Sequence, residues 1–161
     1  FHLRNTAREL EWVTPNGKAN FWSGAMPEAV EHQQARGKPG HYVLQTFRSH
    51  DQYNTTIYGM DDRYRGVYGE RQVVFMNPAD MSDIGVEAGD RADVVGDFAD
   101  GVERVARDFR FVPYDIPRGC IAGYYPEMNV LVPLGSAGDE SYTPTSKSVI
   151  VSFRPVQAVN A

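Results

Sequence analysis

Apolar positions along this chain fall into short runs and alternations separated by Gly, Pro and Asp, a texture that predicts strands joined by turns. Residues 1–40 are poorly periodic and broken by Pro15, Gly17, Gly24, Gly37, Pro39 and Gly40. One short surface helix is expected there, from Pro27 at the first helical position to Arg36, with Gly37 as the stop. The run from Tyr42 to Arg48 reads as a strand, apolar at its beginning and polar at its end. Ser49 to Gly69 is too poor in aliphatics to be core and long for a connection. Its tyrosines (Tyr53, Tyr58, Tyr64, Tyr68) argue for an ordered, ligand-bearing loop. Arg71 to Met76 is a buried strand that ends in a helix start, Asn77-Pro78-Ala79-Asp80. Asn caps, Pro occupies the first turn, Asp80 meets the positive end of the helix dipole, and Gly85 ends the helix.

Gly89-Asp90 turns the chain into a strand over Arg91–Gly96. Glu103 to Val112 resumes strand character, with Val105, Phe109 and Phe111 inside and Asp108 and Arg110 outside. Ser148 to Pro155 closes the chain with Val149, Val151 and Phe153 on one face. About six strands and one firm short helix predict a mainly-β barrel or sandwich with short helical insertions. The strand–helix–strand unit around Arg71–Gly96 is crossover-like and favours a mixed barrel over an up-and-down one.

At 161 residues the chain fits one domain, and its net charge of −5 argues against a nucleic-acid partner. The excess is local: eight acids and one base, Arg91, lie between Asp80 and Glu103, which reads as a solvated acidic face. The remainder is slightly basic and would tolerate an anionic ligand. A single cysteine, Cys120, excludes an intrachain disulfide and Cys-based metal clusters within this chain, and is read as a small core residue. No apolar run is long enough for a membrane span. The opening Phe1-His2-Leu3-Arg4 has neither initiator Met nor signal core, so the chain reads as a piece of something longer, in which an export signal would not be visible; the setting expected is cytoplasmic.

Most catalytic patterns are missing. His2, His32, His41 and His50 match no ligand spacing, and Asp93, Asp97 and Asp100 lack the alternation of a calcium loop. Ser49-His50-Asp51 are successive residues and cannot align as a triad, and there is no nucleophile elbow, Walker loop or dinucleotide fingerprint. Asp61-Asp62 beside Arg63 and Arg65 are expected to pair with them. Asn54-Thr55-Thr56 is a glycosylation sequon by pattern only. No catalytic or metal-ligating residue is assigned.

Three polar clusters remain: Thr46, Arg48, Ser49, His50, Asp51, Gln52, Tyr53, Asn54 and Thr55; Tyr124 to Asn129; and Thr143 to Lys147. Cations and amide N–H groups would neutralise phosphate, hydroxyls and amides would bind a sugar or heterocycle, and a tyrosine would stack. On the residues alone, these clusters fit either a ligand site or the polar loops of a barrel rim.

In this order the clusters resemble the C-terminal domain of the molybdopterin oxidoreductases, the superfamily of formate dehydrogenase, periplasmic nitrate reductase and DMSO reductase. The stretch from Thr46 to Gly66 is most similar to formate-dehydrogenase-like alpha subunits. Thr-x-Arg at Thr46–Arg48, Asn-Pro-x-Asp at Asn77–Asp80, Gly-Asp at Gly89–Asp90, Asn-x-Leu at Asn129–Leu131 and Pro-x-x-Lys at Pro144–Lys147 carry the resemblance. Where relatives often have His-Trp-His-Thr, this chain has Gln52-Tyr53-Asn54-Thr55.

The resemblance implies a double-psi β-barrel of the aspartate-decarboxylase-like kind over residues 41–161, with 1–40 leading in from a preceding domain. It implies a bis(molybdopterin guanine dinucleotide) cofactor of molybdenum or tungsten, capped by Thr46, Phe47, Arg48, Ser49, His50, Asp51, Gln52, Tyr53, Asn54, Thr55, Asn129 and Lys147. The upstream part of the polypeptide would be the partner and would hold an iron–sulfur cluster and a small substrate such as formate; the fragment alone would not be catalytic. The competing expectation is a stand-alone β-barrel interaction module holding a peptide or sugar in its Tyr-rich loop.

Overall fold

The computed structural model describes residues 3–25, 38–54 and 59–155. The helix expected over Pro27–Arg36, and Thr55 with the rest of its sequon after Asn54, lie outside them. Among the described residues six strands are present: β1 (Tyr42–Phe47), β2 (Val73–Met76), β3 (Arg91–Gly96), β4 (Val105–Pro113), β5 (Cys120–Tyr124) and β6 (Val149–Pro155). A helix, α1 (Pro78–Asp83), follows β2, and a 3-10 helix, Glu127–Leu131, follows β5.

The strands close into a barrel in the order β1-β5-β2-β4-β3-β6. Two pairs are parallel: β1 with β5, from Val43↔Cys120 to Phe47↔Tyr124, and β2 with β4, from Val73↔Arg110 to Met76↔Pro113. The other four pairings are antiparallel. The mainly-β barrel with short helical insertions expected from the sequence is what the chain forms.

The mixed pairing has a different origin from the one anticipated. β2 and β3 flank β4 on opposite sides and run in opposite directions, so α1 carries the chain past β4 rather than between adjacent parallel strands. The start of α1 follows the local chemistry: Asn77 Oδ1 accepts from the Ala79 N–H at 2.9 Å. Asp80 is buried and serves more than the helix dipole, accepting from Arg118 Nε and the Gly119 N–H, each at 2.7 Å. It thereby ties α1 to the turn before β5.

The barrel interior holds Leu44, Val74, Met76, Val94, Phe109, Phe111, Ile121 and Val151, with Met128 and Leu131 of the 3-10 helix packed into the same cluster. A second cluster, Val67, Val73, Phe75, Ala122 and Tyr124, lies on the opposite face of β2 and β5 beneath the loop that carries Val67. That covering explains why β2 is apolar at every position instead of alternating.

Strand β4 corrects the expected alternation. Asp108 takes a left-handed φ of 59°, and the register slips between Ala92↔Phe109 and Val94↔Ala106. The bulge reverses the parity, so Ala106 is buried and Val105 only half-buried.

The acidic stretch is also not a bare solvated face. Asp93 is 1% exposed and lies 3.3 Å from Arg107, Asp97 is 2.7 Å from Lys38, Asp100 is 2.7 Å from Arg104, and Glu103 is 2.9 Å from Arg154. Bases from outside the stretch thus pair with part of it, while Asp83, Glu87, Asp90, Asp97, Asp100 and Glu103 stay exposed as the solvated face expected from the sequence. Cys120 is half-buried at the start of β5 rather than part of the core. No helix among the described residues is long and apolar enough to cross a membrane.

Candidate functional site

Strand directions bring the polar clusters to one end of the barrel. β1 and β5 run parallel and finish side by side at Phe47 and Tyr124, while β2 begins beside Gly123. β6 begins beside Leu44, which sets Lys147 next to the end of β1. One rim therefore gathers Thr46 to Asn54, Arg71, Tyr124 to Glu127 and Lys147.

The candidate residues divide by orientation. Thr46 is buried, and its hydroxyl donates to the Ser146 carbonyl at 3.0 Å. Phe47 packs on the rings of Phe75 and Tyr124, with the Arg65 guanidinium 4.2 Å from its centroid. Ser49 and Gln52 are buried. Gln52 Oε1 accepts from the Ser49 N–H at 3.3 Å, and its Nε2 donates to the Tyr125 carbonyl at 3.0 Å.

Arg48, Asp51, Tyr53, Asn54, Asn129 and Lys147 are exposed. His50 is held between them, its ring edge-on to Tyr64 at 4.0 Å and its Nε2 3.1 Å from Asp51 Oδ1. Asp51 takes a left-handed φ of 65° where the loop turns. Asn129 is exposed on the 3-10 helix after β5, and among the described residues no hydrogen bond links its side chain to the rest of the set.

Arg48 and Lys147 carry the electrostatics. Burial, and then the Arg48 guanidinium nearby, lower the Lys147 ammonium below its ordinary range. Its Nζ donates to the Thr46 carbonyl at the end of β1. Among the described residues, no carboxylate forms an ion pair with either cation. Neighbouring like charges left without acids favour an anion between them. Most other basic side chains at this end are committed: Arg65 Nη1 donates to Asp62 Oδ2 at 2.6 Å, where the buried Tyr124 hydroxyl also donates at 2.9 Å. Asp62 thus pairs with Arg65 as expected, whereas Arg63 lies over the Tyr64 ring and Asp61 accepts from the Gly69 N–H.

The exposed donor set, two unneutralised cations with the amides of Asn54 and Asn129 and the ring of Tyr53, fits a multiply charged phosphate-bearing ligand. A family model of the molybdopterin dinucleotide-binding domain matches residues 42–150, from the first residue of β1 into β6. The chain belongs to this family. Both Arg48 and Lys147 fall within the matched part of the molybdopterin dinucleotide-binding domain. An uncharacterized oxidoreductase of Mycobacterium tuberculosis is 51% identical over 160 residues, covering 96% of this chain and 20% of the relative. Its Mycobacterium bovis counterpart gives the same figures. Protein YdeP of Escherichia coli is 40% identical over 157 residues, covering 96% of this chain and again 20% of the relative. The chain thus spans about a fifth of the length of these relatives. The match favours the cofactor-binding reading over a peptide- or sugar-binding module.

One rim residue of this molybdopterin dinucleotide-binding domain escaped the sequence reading. Arg71 is 4% exposed and stands at the centre of the rim, two residues before β2. Its charge was absorbed into an expected apolar strand. The available signal was the demand of any buried guanidinium for a carboxylate, with Glu127 waiting in the aromatic cluster after β5.

Proposed function

We propose that this domain caps a bis(molybdopterin guanine dinucleotide) cofactor of molybdenum or tungsten in a larger, formate-dehydrogenase-like oxidoreductase. The carrying observation is the acid-free cation pair, Arg48 and Lys147, at the rim of a barrel of this family. Arg48 would counter pyrophosphate charge and Lys147 the pterin side, while Tyr53, Asn54, Thr55 and Asn129 would supply stacking and hydrogen bonds. Thr46, Phe47, Ser49 and Gln52 would act by holding the loop, with His50 and Asp51 shaping its turn.

When bound, the cofactor supplies the two-electron chemistry; the protein contributes position and electrostatics. In this reading residues 1–40 lead in from the upstream part of a cytoplasmic polypeptide that also holds an iron–sulfur cluster and the small substrate. The test is Arg48→Ala in the full-length enzyme, scored by metal content and by guanine nucleotide released with acid. Losing one charge-assisted contact of about 1.5–3 kcal/mol predicts retention lower by about tenfold or more, with the domain still folded. Unchanged metal and nucleotide would overturn the assignment.

A further inference from the structure

The rim is organised around a group that none of the cofactor assignments includes. Arg71 Nε donates to Glu127 Oε1 at 2.6 Å, and Nη2 reaches Glu127 Oε2 at 3.2 Å, a two-pronged ion pair in a buried setting. The remaining donors point to the loop after β1: Nη1 donates to Ser49 Oγ at 2.6 Å and Nη2 to Gln52 Oε1 at 3.2 Å. Nη2 also reaches the Tyr125 carbonyl at 3.1 Å, and the guanidinium lies 4.7 Å from the centroid of the Tyr124 ring. One side chain thus joins the loop after β1, the start of β2 and the segment after β5.

The pattern is internally consistent in its donors and acceptors. Gln52 must present its oxygen to Arg71 and to the Ser49 N–H, which leaves its NH₂ for the Tyr125 carbonyl, where it is found. A planar guanidinium reaches these acceptors together, the two Nη2 hydrogens being shared among three of them; a lysine ammonium, a point charge with no fork, cannot. Arg48 lies one residue before Ser49, so the clamp on Ser49 and Gln52 holds the backbone from which the exposed Arg48 side chain extends.

We infer that Arg71, locked by Glu127, is a positioning residue that preorganises the Arg48–Asn54 loop for the anionic ligand of the rim. This inference rests on the cofactor-binding reading for the identity of that ligand, but the clamp itself does not. An ordered loop spares the ligand the entropy of fixing it, so loosening the clamp weakens binding without removing a direct contact.

Arg71→Lys in the full-length chain is the test. It keeps the charge facing Glu127 but lacks the fork needed to bridge Ser49 and Gln52. Amide hydrogen exchange at Ser49 and Gln52 should rise about tenfold or more, while exchange in β1, β2 and β5 stays as in the parent. Cofactor release, followed as metal and guanine nucleotide lost over time, should accelerate by a similar factor. Ser49→Ala, a milder change that removes only the hydroxyl prong, should move both readouts the same way by a smaller factor.

Unchanged loop exchange in both variants, or exchange raised equally throughout the strands, would overturn the clamp, the second result marking Arg71 as a general structural ion pair. Parent protein that carries no guanine nucleotide would overturn the cofactor reading alone, since the exchange measurement needs no ligand. Loaded parent with an Arg48→Ala defect, but with Arg71→Lys indistinguishable from parent, would overturn this inference alone.

Discussion

At the scale of single residues, the closest constraint in the barrel is Gly123. A Cβ built there would lie 2.6 Å from both Cε and Cγ of Met128, whose side chain is fully buried and whose Cγ, next to the backbone, cannot swing away as the terminal Cε can. Gly123→Ala is therefore expected to push the 3-10 helix away from β5 and to cost about 1–3 kcal/mol, read as a lowered urea midpoint at unchanged slope. The same scale shows why the site was only half legible. Arg48 and Lys147 announce themselves, as cations in polar loops with no acid beside them in sequence. Ser49 and Gln52 are as polar in sequence as Asn54, and only the position of Arg71 decides that they face inward. Arg71 was hidden because its carboxylate, Glu127, lies 56 residues away.

Among the elements, α1 was read correctly because its signals are local: cap, proline and first-turn acid are consecutive residues. Asn77 does more than cap, since its Nδ2 also donates to the Ile116 carbonyl at 2.7 Å and joins the helix to the segment before β5. Asn77→Ala loses both bonds and is expected to cost about 1–2 kcal/mol in chemical denaturation; a change below a few tenths would mean the cap is dispensable. Strand β4 was read correctly at Phe109 and Phe111 but not at Val105, for the opposite reason. Its bulge is a property of the pairing with β3, and Asp108 is one of the residue types that tolerates the left-handed conformation without declaring it. The apolar run of β2 was recognised as a strand, but the loop cover that buries its second face could not be inferred from the run itself.

For the whole molecule, three carboxylates set the response to acid: Asp62 and Asp97 tie distant segments together, and Asp100 closes a local turn with Arg104. At Asp62 burial pushes the carboxyl up, but the hydrogen bonds from Arg65 and Tyr124 more than reverse it. Lys38, then His41, hold Asp97 below its usual range, and Arg104 holds Asp100 down at about 2. Each folded-state value lies below its unfolded one, near 4, so the folded chain binds fewer protons there. Their contribution is complete above about pH 4 and is lost as the pH falls through the folded values toward about 2. The urea midpoint should decline across that window, and Asp62→Asn should flatten part of the decline; a midpoint level from pH 4 to 2 would refute the linkage. Closure of the barrel has a further consequence. With each described strand flanked on both sides, a foreign peptide finds no open ladder among the described residues to extend by augmentation, and neither does a misfolded copy. That route of recognition is closed to the barrel strands of this domain, which leaves side chains and loops to meet a ligand. Unzipping one seam, such as β3 against β6, is the step that would expose it to fibril-like self-association.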